Sequence, residues 1–403
     1  MRLDGRYDVV ICGASFAGLA AARELAGSGA DVLIVDRYGI GERPTSACGI
    51  PTDWLRALGL IELELQRFGE LVVHSPGGRT VLDLPYTFST FNYDEVCERL
   101  WRDCDASFET ATVNRRVPGT SSTNGRDAET EHDITVETDR GLVSAPLVVD
   151  SLGWRRLLAP GAGFQPLDAP LTRALEVHPA GQSDELEVWV DRRYVPAGYG
   201  WSFPAGEEVR VGVCSYRPPS HVREGTDRLA GDLGRDPVRY QGNWIPHELR
   251  PPTKADVFFA GDSAGQCLPL TAEGIRTALY YGIAVGRELR SVVEGRQSRD
   301  EAIASYTRLH DSHKFGFGML LWVQRLIPKI PPRLLAPGFR IFKTQLLVNL
   351  AFNAYLKIAP PDFAIGSNAR PDGGGELPRI ADQPEPGLRE NGAVGSAAEK
   401  SLQ

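Results

Sequence analysis

Two short apolar runs flanking a helix-prone stretch fill the first forty residues of this chain and constrain its fold more than any other feature. An apolar run from Tyr7 to Cys12 ends on Gly13; an alanine- and leucine-rich stretch, Ala17 to Leu25, follows and stops at Gly27 and Gly29; a second apolar run occupies Ala30 to Asp36. Short apolar runs of this kind read as buried strands, and the segment between them reads as a helix with glycine stop signals. Two parallel strands joined by a helix make a βαβ unit, which commits the chain to a parallel sheet with helices packed on it. The turn into the helix, Gly13-Ala14-Ser15-Phe16-Ala17-Gly18, has the spacing of a dinucleotide fingerprint with serine at the middle glycine. Such a turn needs Gly13 for its tight bend, a small residue 15 for close approach to a pyrophosphate, and Gly18 for helix-to-strand packing. The N–H groups and positive end of the helix then face the phosphates. Asp36, which closes the second strand, is placed to accept a hydrogen bond from a ribose and would repel a 2′-phosphate, so FAD or NAD is expected.

At 403 residues, with 42% hydrophobic and 24% charged, the chain has material for two or three packed domains. Its 44 Lys and Arg against 52 Asp and Glu leave a net charge of −8, which argues against nucleic acid as a partner. Six scattered cysteines without a CxxC pair suggest neither a disulfide framework nor a metal cluster, and a reducing compartment fits them. No secretory leader precedes Tyr7 and no apolar run reaches the ~18 residues of a membrane span, so a cytoplasmic location is expected.

Beyond the βαβ unit, residues 70–85 and 107–149 hold short β-rich pieces, the latter interrupted by a polar stretch, Thr120 to His132, read as a hairpin loop. A further strand-rich region spans 171–217 and includes Leu186 to Val190 and Val209 to Val213. Farther on, a strand from Asp256 runs into Gly261-Asp262-Ser263-Ala264, followed by Pro269-Leu270-Thr271-Ala272-Glu273-Gly274-Ile275 and a helix carrying Ala278, Tyr281 and Ala284. Here the sequence resembles the FAD-dependent oxidoreductases that include aromatic hydroxylases, flavin halogenases and geranylgeranyl reductases. The segment Val148-Val149-Asp150-Ser151-Leu152-Gly153 is similar to the family's strand-ending D-x-x-G beside the nucleotide. The resemblance implies that Asp262 binds the ribityl chain with Gly261 beside it. It also implies that Gly274 and Ile275 open a helix facing the flavin pyrimidine, where a helix N-terminus stabilises the negative charge of a reduced flavin. On the same ground Phe16, Ala17, Arg37 and Val113 are expected to contact FAD. Where the family often carries an arginine this chain has Tyr93, and Arg99 is expected to substitute for it.

The resemblance implies an α/β fold: a Rossmann-like FAD-binding domain (residues 1–70, 90–160 and 253–311), an inserted antiparallel β-sheet substrate domain (71–89 and 161–252) and a helical C-terminus (312–365). Residues 366–403, rich in glycine and proline and free of aromatics, are read as a disordered tail.

Two segments are similar to the geranylgeranyl reductase branch. Tyr199-Gly200-Trp201-Ser202-Phe203-Pro204-Ala205-Gly206 looks like its aromatic strand pair, which can wall an apolar tunnel or equally form a core hairpin. Ser46-Ala47-Cys48-Gly49-Ile50-Pro51 lies where that branch carries a Cys-Gly segment against the flavin, although Ile50 replaces a glycine common there. Cys48 and Gly49 are therefore expected to be accessible at the flavin face, and Cys48, Tyr199 and Trp201 to act on the substrate. The implied reaction is hydride transfer from reduced flavin to a carbon–carbon double bond of an isoprenoid, with NAD(P)H or ferredoxin as electron donor. Hydroxylation of an apolar or aromatic metabolite is the alternative, with halogenation and a non-catalytic flavoprotein ranked below it.

Residues 312–361 carry seven Lys and Arg and no Asp or Glu, among many large apolar residues. Prolines 328, 331, 332 and 337 are expected to cut the segment into pieces too short to span a bilayer. The composition suits helices lying on an anionic membrane surface, or helices packed over the substrate domain.

Overall fold

The computed structural model describes residues 2–44, 47–118, 133–159, 171–217 and 222–366. The expected parallel sheet forms with strand order Thr253–Lys254, Val257–Phe259, Leu147–Asp150, Val9–Cys12, Val32–Asp36, Ser107–Thr110. All neighbours pair in parallel except the short Thr253–Lys254 edge strand. Val9–Cys12 and Leu147–Asp150 are buried throughout, as strands covered on both faces must be. On one face the helix Phe16–Leu25 packs against the long helix Ile275–Val293. A Cβ at Gly282 or Gly286 would lie 2.4 or 2.6 Å from the Ala17 or Ala21 carbonyl oxygen, so the two helices meet backbone to backbone. A four-stranded sheet, Gly5–Arg6, Gly141–Ala145, Ile134–Thr138 and Val113–Val117, covers the other face. The loop assigned to 120–132 lies outside the described residues.

A second sheet has eight strands in the order Gln241–Pro246, Leu171–Val177, Glu208–Ser215, Gly198–Ala205, Glu187–Trp189, Glu64–Ser75, Gly78–Phe91, Gly49–Pro51. Every pairing is antiparallel except Glu187–Trp189 with Glu64–Ser75. The expected short pieces near 70–85 are one long hairpin, Glu64–Ser75 with Gly78–Phe91, which extends beyond 71–89 at both ends.

Residues 314–356 form three helices, Lys314–Leu326, Pro332–Phe342 and Gln345–Leu356. Pro337 does not cut the second; it sits inside it at an exposed position, where the Arg333 carbonyl it leaves unbonded can turn to solvent. The buried Arg276 fastens the last helix: its guanidinium donates to the Leu356 (3.0 Å) and Ala359 (3.0 Å) carbonyls, and Trp54 donates to Ala359 as well (3.0 Å). These carbonyls lie at and just beyond the end of the helix, where a cation is favoured. Residues 367–403, expected to form a tail, lie outside the described residues.

Candidate active site

The fingerprint turn is closed by sterics. Gly13 has φ +111°, and a Cβ there would stand 2.4 Å from the Ser151 carbonyl oxygen; at Gly18 it would stand 1.9 Å from the Gly13 carbonyl oxygen. No side chain fits at either position. Ser151 Oγ lies within hydrogen-bond reach of the Cys12 (2.8 Å) and Gly13 (3.1 Å) carbonyls. The buried Asp150 accepts hydrogen bonds from Leu152 N (3.0 Å), Leu158 N (2.9 Å) and Ser263 Oγ (2.7 Å). Burial raises the Asp150 pKa, and these bonds offset part of the rise. The D-x-x-G segment is thus a buckle that ties the fingerprint turn to the Gly-Asp turn.

Asp36 closes the fingerprint loop, accepting from Ala14 N (2.8 Å) and Tyr38 N (3.1 Å). Arg37 lies over the Tyr38 ring at 4.7 Å. Val113 is buried two residues after Ala111, whose N–H donates to the Asp36 carbonyl (2.8 Å). Ser15 occupies the N-cap of the first helix without capping it; its Oγ instead accepts from Tyr93 OH (3.0 Å). Phe16 meets Phe91 and Tyr93 edge to face, with centroids 6.1 and 5.1 Å apart. Tyr93 therefore reaches the turn, whereas Arg99 is engaged in ion pairs with Asp103 and, at 3.9 Å, Glu62.

Gly261 adopts φ +67°, and a Cβ there would lie 3.3 Å from Ala17 Cβ. Gly274 is the N-cap of the helix that begins at Ile275, and a Cβ on it would lie 3.9 Å from Asp262 Oδ1. Ala17, Gly261, Asp262, Gly274 and Ile275 thus gather at the N-termini of two helices and the carboxyl ends of the parallel strands, where such folds bind nucleotides. The Asp262 carboxylate accepts no hydrogen bond from any described residue, and burial raises its pKa to about 6 against the pull of Arg250. A glycine cradle with no room for a Cβ and a carboxylate lacking a donor fit a dinucleotide whose hydroxyls supply the missing bonds. A cavity of about 630 Å³ opens at the other end of the sheet, lined by Asp8, Leu147 and Arg299 among others, and none of the motif residues lines it.

The eight-stranded sheet meets this region through two strained loops. Cys48 has φ +53° and is 1% exposed, contrary to the expected accessibility. Pairing of Gly49–Pro51 with the strand Gly78–Phe91 draws it inward, and Phe88 packs against Gly49. Burial lifts its thiol to about 12, with Arg210 acting in the opposite direction. Ile50 is fully buried in the main core. The second loop carries two further non-glycine residues at positive φ, Leu270 (+73°) and Ala272 (+51°). Ala47 from one loop and Ala272 from the other pack on the same cluster of Trp201, Tyr216 and Tyr199. The Tyr199 hydroxyl donates to the Thr271 carbonyl and the Tyr216 hydroxyl to the Leu270 carbonyl.

A polar network behind this face was not anticipated from the sequence. Trp201 Nε1 donates to Glu176 Oε2 (3.2 Å), and His178 lies between Glu176 (3.2 Å) and Glu208 (3.1 Å). Glu208 pairs with Arg210 (3.0 Å), which donates to the Ala47 (3.0 Å) and Phe91 (2.8 Å) carbonyls. Burial opposes the charge on Glu208, but the bonds from His178 and Arg210 outweigh it and hold its pKa at about 2. Burial also disfavours protonated His178, and its two carboxylate neighbours outweigh that to raise its pKa. The one signal available beforehand was Glu-x-His and Glu-x-Arg spacing, which places both members on one face of otherwise apolar strands.

No protein-family model matches the chain. It is 25% identical over 322 residues to a digeranylgeranylglycerophospholipid reductase of Methanothermobacter thermautotrophicus, covering 75% of this chain and 82% of that protein. It is 27% identical over 431 residues to a menaquinone reductase of Mycobacterium tuberculosis, covering 96% of this chain and 100% of that one. Among solved structures, a geranylgeranyl bacteriochlorophyll reductase-like protein from Thermoplasma acidophilum superposes with a TM-score of 0.75 at 17% identity, over 90% of this chain and 98% of that one.

Proposed function

For this chain, a flavin-dependent oxidoreductase similar to the geranylgeranyl reductases, we propose that FAD is the cofactor and that the reaction saturates carbon–carbon double bonds in the prenyl chain of a lipid or quinone. One observation carries the reading: the dinucleotide cradle, the unpartnered Asp262 and the aromatic face bearing Trp201, Tyr199 and Tyr216 converge on the loops of Cys48 and Ala272. Gly13, Ser15, Phe16, Ala17 and Gly18 would hold the pyrophosphate, Asp36, Arg37 and Val113 the adenosine side, and Gly261, Asp262, Gly274 and Ile275 the flavin side. When bound and reduced, the flavin supplies a hydride to one alkene carbon. The second carbon needs a proton, and a thiol lifted to about 12 keeps its proton at neutral pH, so Cys48 Sγ is assigned to hold it. Arg210, which lowers the Cys48 pKa, favours the thiolate left behind and limits the cost of the transfer. Reduced nicotinamide or ferredoxin serves as electron donor, and the apolar substrate is collected at the cytoplasmic side of a membrane.

The deciding experiment reduces the flavin under anaerobic conditions and adds a prenylated phospholipid or quinone. Reoxidation without oxygen, with a mass gain of two hydrogens per double bond, is the expected result. Reoxidation that needs both substrate and oxygen would replace this reading with hydroxylation.

A further inference from the structure

A helix on a protein surface normally turns one apolar face inward and a polar face outward. The last three helices depart from this. In Lys314–Leu326 the inward face is Phe317, Leu320 and Gln324, all buried. The opposite face carries Phe315 (83% exposed), Met319 (46%), Trp322 (64%) and Leu326 (39%). Their spacing of four, three and four residues aligns them in one stripe. In Pro332–Phe342, Leu335 and Ala336 are buried while Leu334 and Ile341 face out. In Gln345–Leu356, Val348 is buried while Leu346 and Leu350 face out.

The charge carried by these helices themselves has one sign. Lys314 pairs with Asp311 and Arg325 with Glu248. Lys329, Arg333, Arg340, Lys343 and Lys357 are exposed and form no ion pair with any described residue, and residues 312–361 contain no acid. No described helix is long and apolar enough to cross a membrane. At 13, 11 and 12 residues these helices would be about 16–20 Å long, short of a ~30 Å hydrocarbon core.

We infer that the outward faces of these three helices form a docking surface for an anionic lipid bilayer, with Phe315, Met319 and Trp322 entering the interface and the five unpaired cations meeting the headgroups. Exposed apolar stripes gain by burial in the acyl boundary, and the surrounding cations select a negative surface. A second copy of a chain carrying the same unpaired cations would meet them with like charge, whereas an anionic bilayer neutralises them. The inference rests on the proposed lipid substrate only in its purpose, because binding is measured without turnover.

The holoenzyme is mixed with vesicles of equal phosphatidylglycerol and phosphatidylcholine, and separately with phosphatidylcholine alone, at low salt. Sedimentation with the anionic vesicles and a blue shift of Trp322 emission, absent in Trp322→Phe, are expected. Phe315→Ser combined with Trp322→Ser is expected to weaken binding at least tenfold. At about fivefold per cation, Arg333→Gln, Arg340→Gln and Lys343→Gln together should weaken it about a hundredfold, and 0.5 M NaCl should abolish most of it. Equal binding to neutral vesicles, no binding to either, or a dimer that Phe315→Ser and Trp322→Ser dissolve would each overturn the inference. Turnover of detergent-solubilised substrate by the same samples separates the two proposals. Turnover without vesicle binding leaves the reductase reading standing, and vesicle binding without turnover leaves the docking surface standing.

Discussion

Replacing Asp262 with asparagine should make the flavin-free protein more stable while weakening its hold on flavin. The aspartate is half-buried, accepts no hydrogen bond from the described residues, and is pushed by desolvation to about 6 against an ordinary value of 3.8. Between those two pH values the folded state keeps a proton that the unfolded state has lost, so stability falls as pH rises, by about 1.4 kcal/mol per unit. Over roughly two units the accumulated penalty is about 3 kcal/mol, and above pH 6 it stays constant. Asparagine carries no charge and is relieved of that penalty. With an unfolding entropy of about 2.1 cal/mol/K per residue, a chain of 403 residues should gain about 3–4 °C in melting temperature at pH 7 and nothing near pH 4. Flavin binding should move the other way. Replacing a charged acceptor for the cofactor hydroxyls by a neutral one removes about 1.5 kcal/mol or more, so affinity should fall at least tenfold. Wild-type affinity should also weaken below pH 6, while that of Asp262→Asn stays flat. Thermal unfolding of deflavinated protein and fluorescence titration with FAD read both effects. A flavin-free variant no more stable than wild type at pH 7 would refute the reasoning, because it would mean that the carboxylate is already satisfied.

Other perturbations test the remaining parts of the site. Gly18→Ala puts a Cβ 1.9 Å from the Gly13 carbonyl oxygen, so purified protein should lose most of its flavin, seen as a collapse of the visible-to-ultraviolet absorbance ratio. Arg210→Met takes the charged donor from the Ala47 and Phe91 carbonyls and one of three cationic partners from the half-buried Glu208, costing about 3–5 kcal/mol. That corresponds to a melting temperature lower by about 4–6 °C, and a drop under 1 °C would mean the network does not hold the Cys48 loop. The network also has a pH signature. Glu208, held at about 2, contributes stability that is present above its ordinary value near 4.5 and lost as pH falls toward 2. His178, raised by its carboxylate neighbours, contributes stability that is present below about 6.5 and lost as pH rises through its folded pKa. The wild-type advantage over Arg210→Met should therefore fall away on the acid side, where Glu208 loses its charge.

The parts of this molecule that could be read in advance are those where one short segment carries its own constraint. The βαβ unit was legible because strands buried on both faces must be continuous apolar runs and because the turn at Gly13 and Gly18 excludes any Cβ. The long hairpin was not. Its ladder shifts register between Glu64 and Gln66 and again near Glu70, and Pro85 falls where pairing jumps from Asp83 to Phe88, so alternation breaks into fragments. The Glu176–His178–Glu208–Arg210 network was illegible for a different reason. Its members come from strands made adjacent by long connections, and a charge in an apolar strand looks the same whether its partner lies across the sheet or in solvent. The burial of Cys48 was misjudged because its polar approach suggested a surface loop, whereas antiparallel pairing of Gly49–Pro51, with Gly49 against Phe88, draws the preceding residue into the main core.

The strained residues decide which side chains of the aromatic face have a proton left to give. A non-glycine residue held at positive φ costs of order 1–3 kcal/mol and persists only where its surroundings over-determine it. At Leu270 and Ala272 those surroundings include the hydroxyls of Tyr199 and Tyr216, which bond the Thr271 and Leu270 carbonyls, and Gln324, which accepts from Leu270 N (2.7 Å). A hydroxyl already donating to a backbone carbonyl has no second proton to give, and burial raises the Tyr199 pKa well above its ordinary value. The Trp201 indole N–H is likewise committed to Glu176. Tyr199 and Trp201 therefore shape and hold the apolar wall and are poorly placed as acids. Cys48, itself strained and with its neighbour Ala47 held at the carbonyl by Arg210, has a buried thiol that keeps its proton at neutral pH, which is the property the proposed acid role asks of it. On this argument Tyr199→Phe should loosen the Leu270–Glu273 loop and raise KM for a prenyl substrate more than it lowers kcat. Cys48→Ala should lower kcat with KM little changed, and the opposite pattern would return the acid role to the tyrosine.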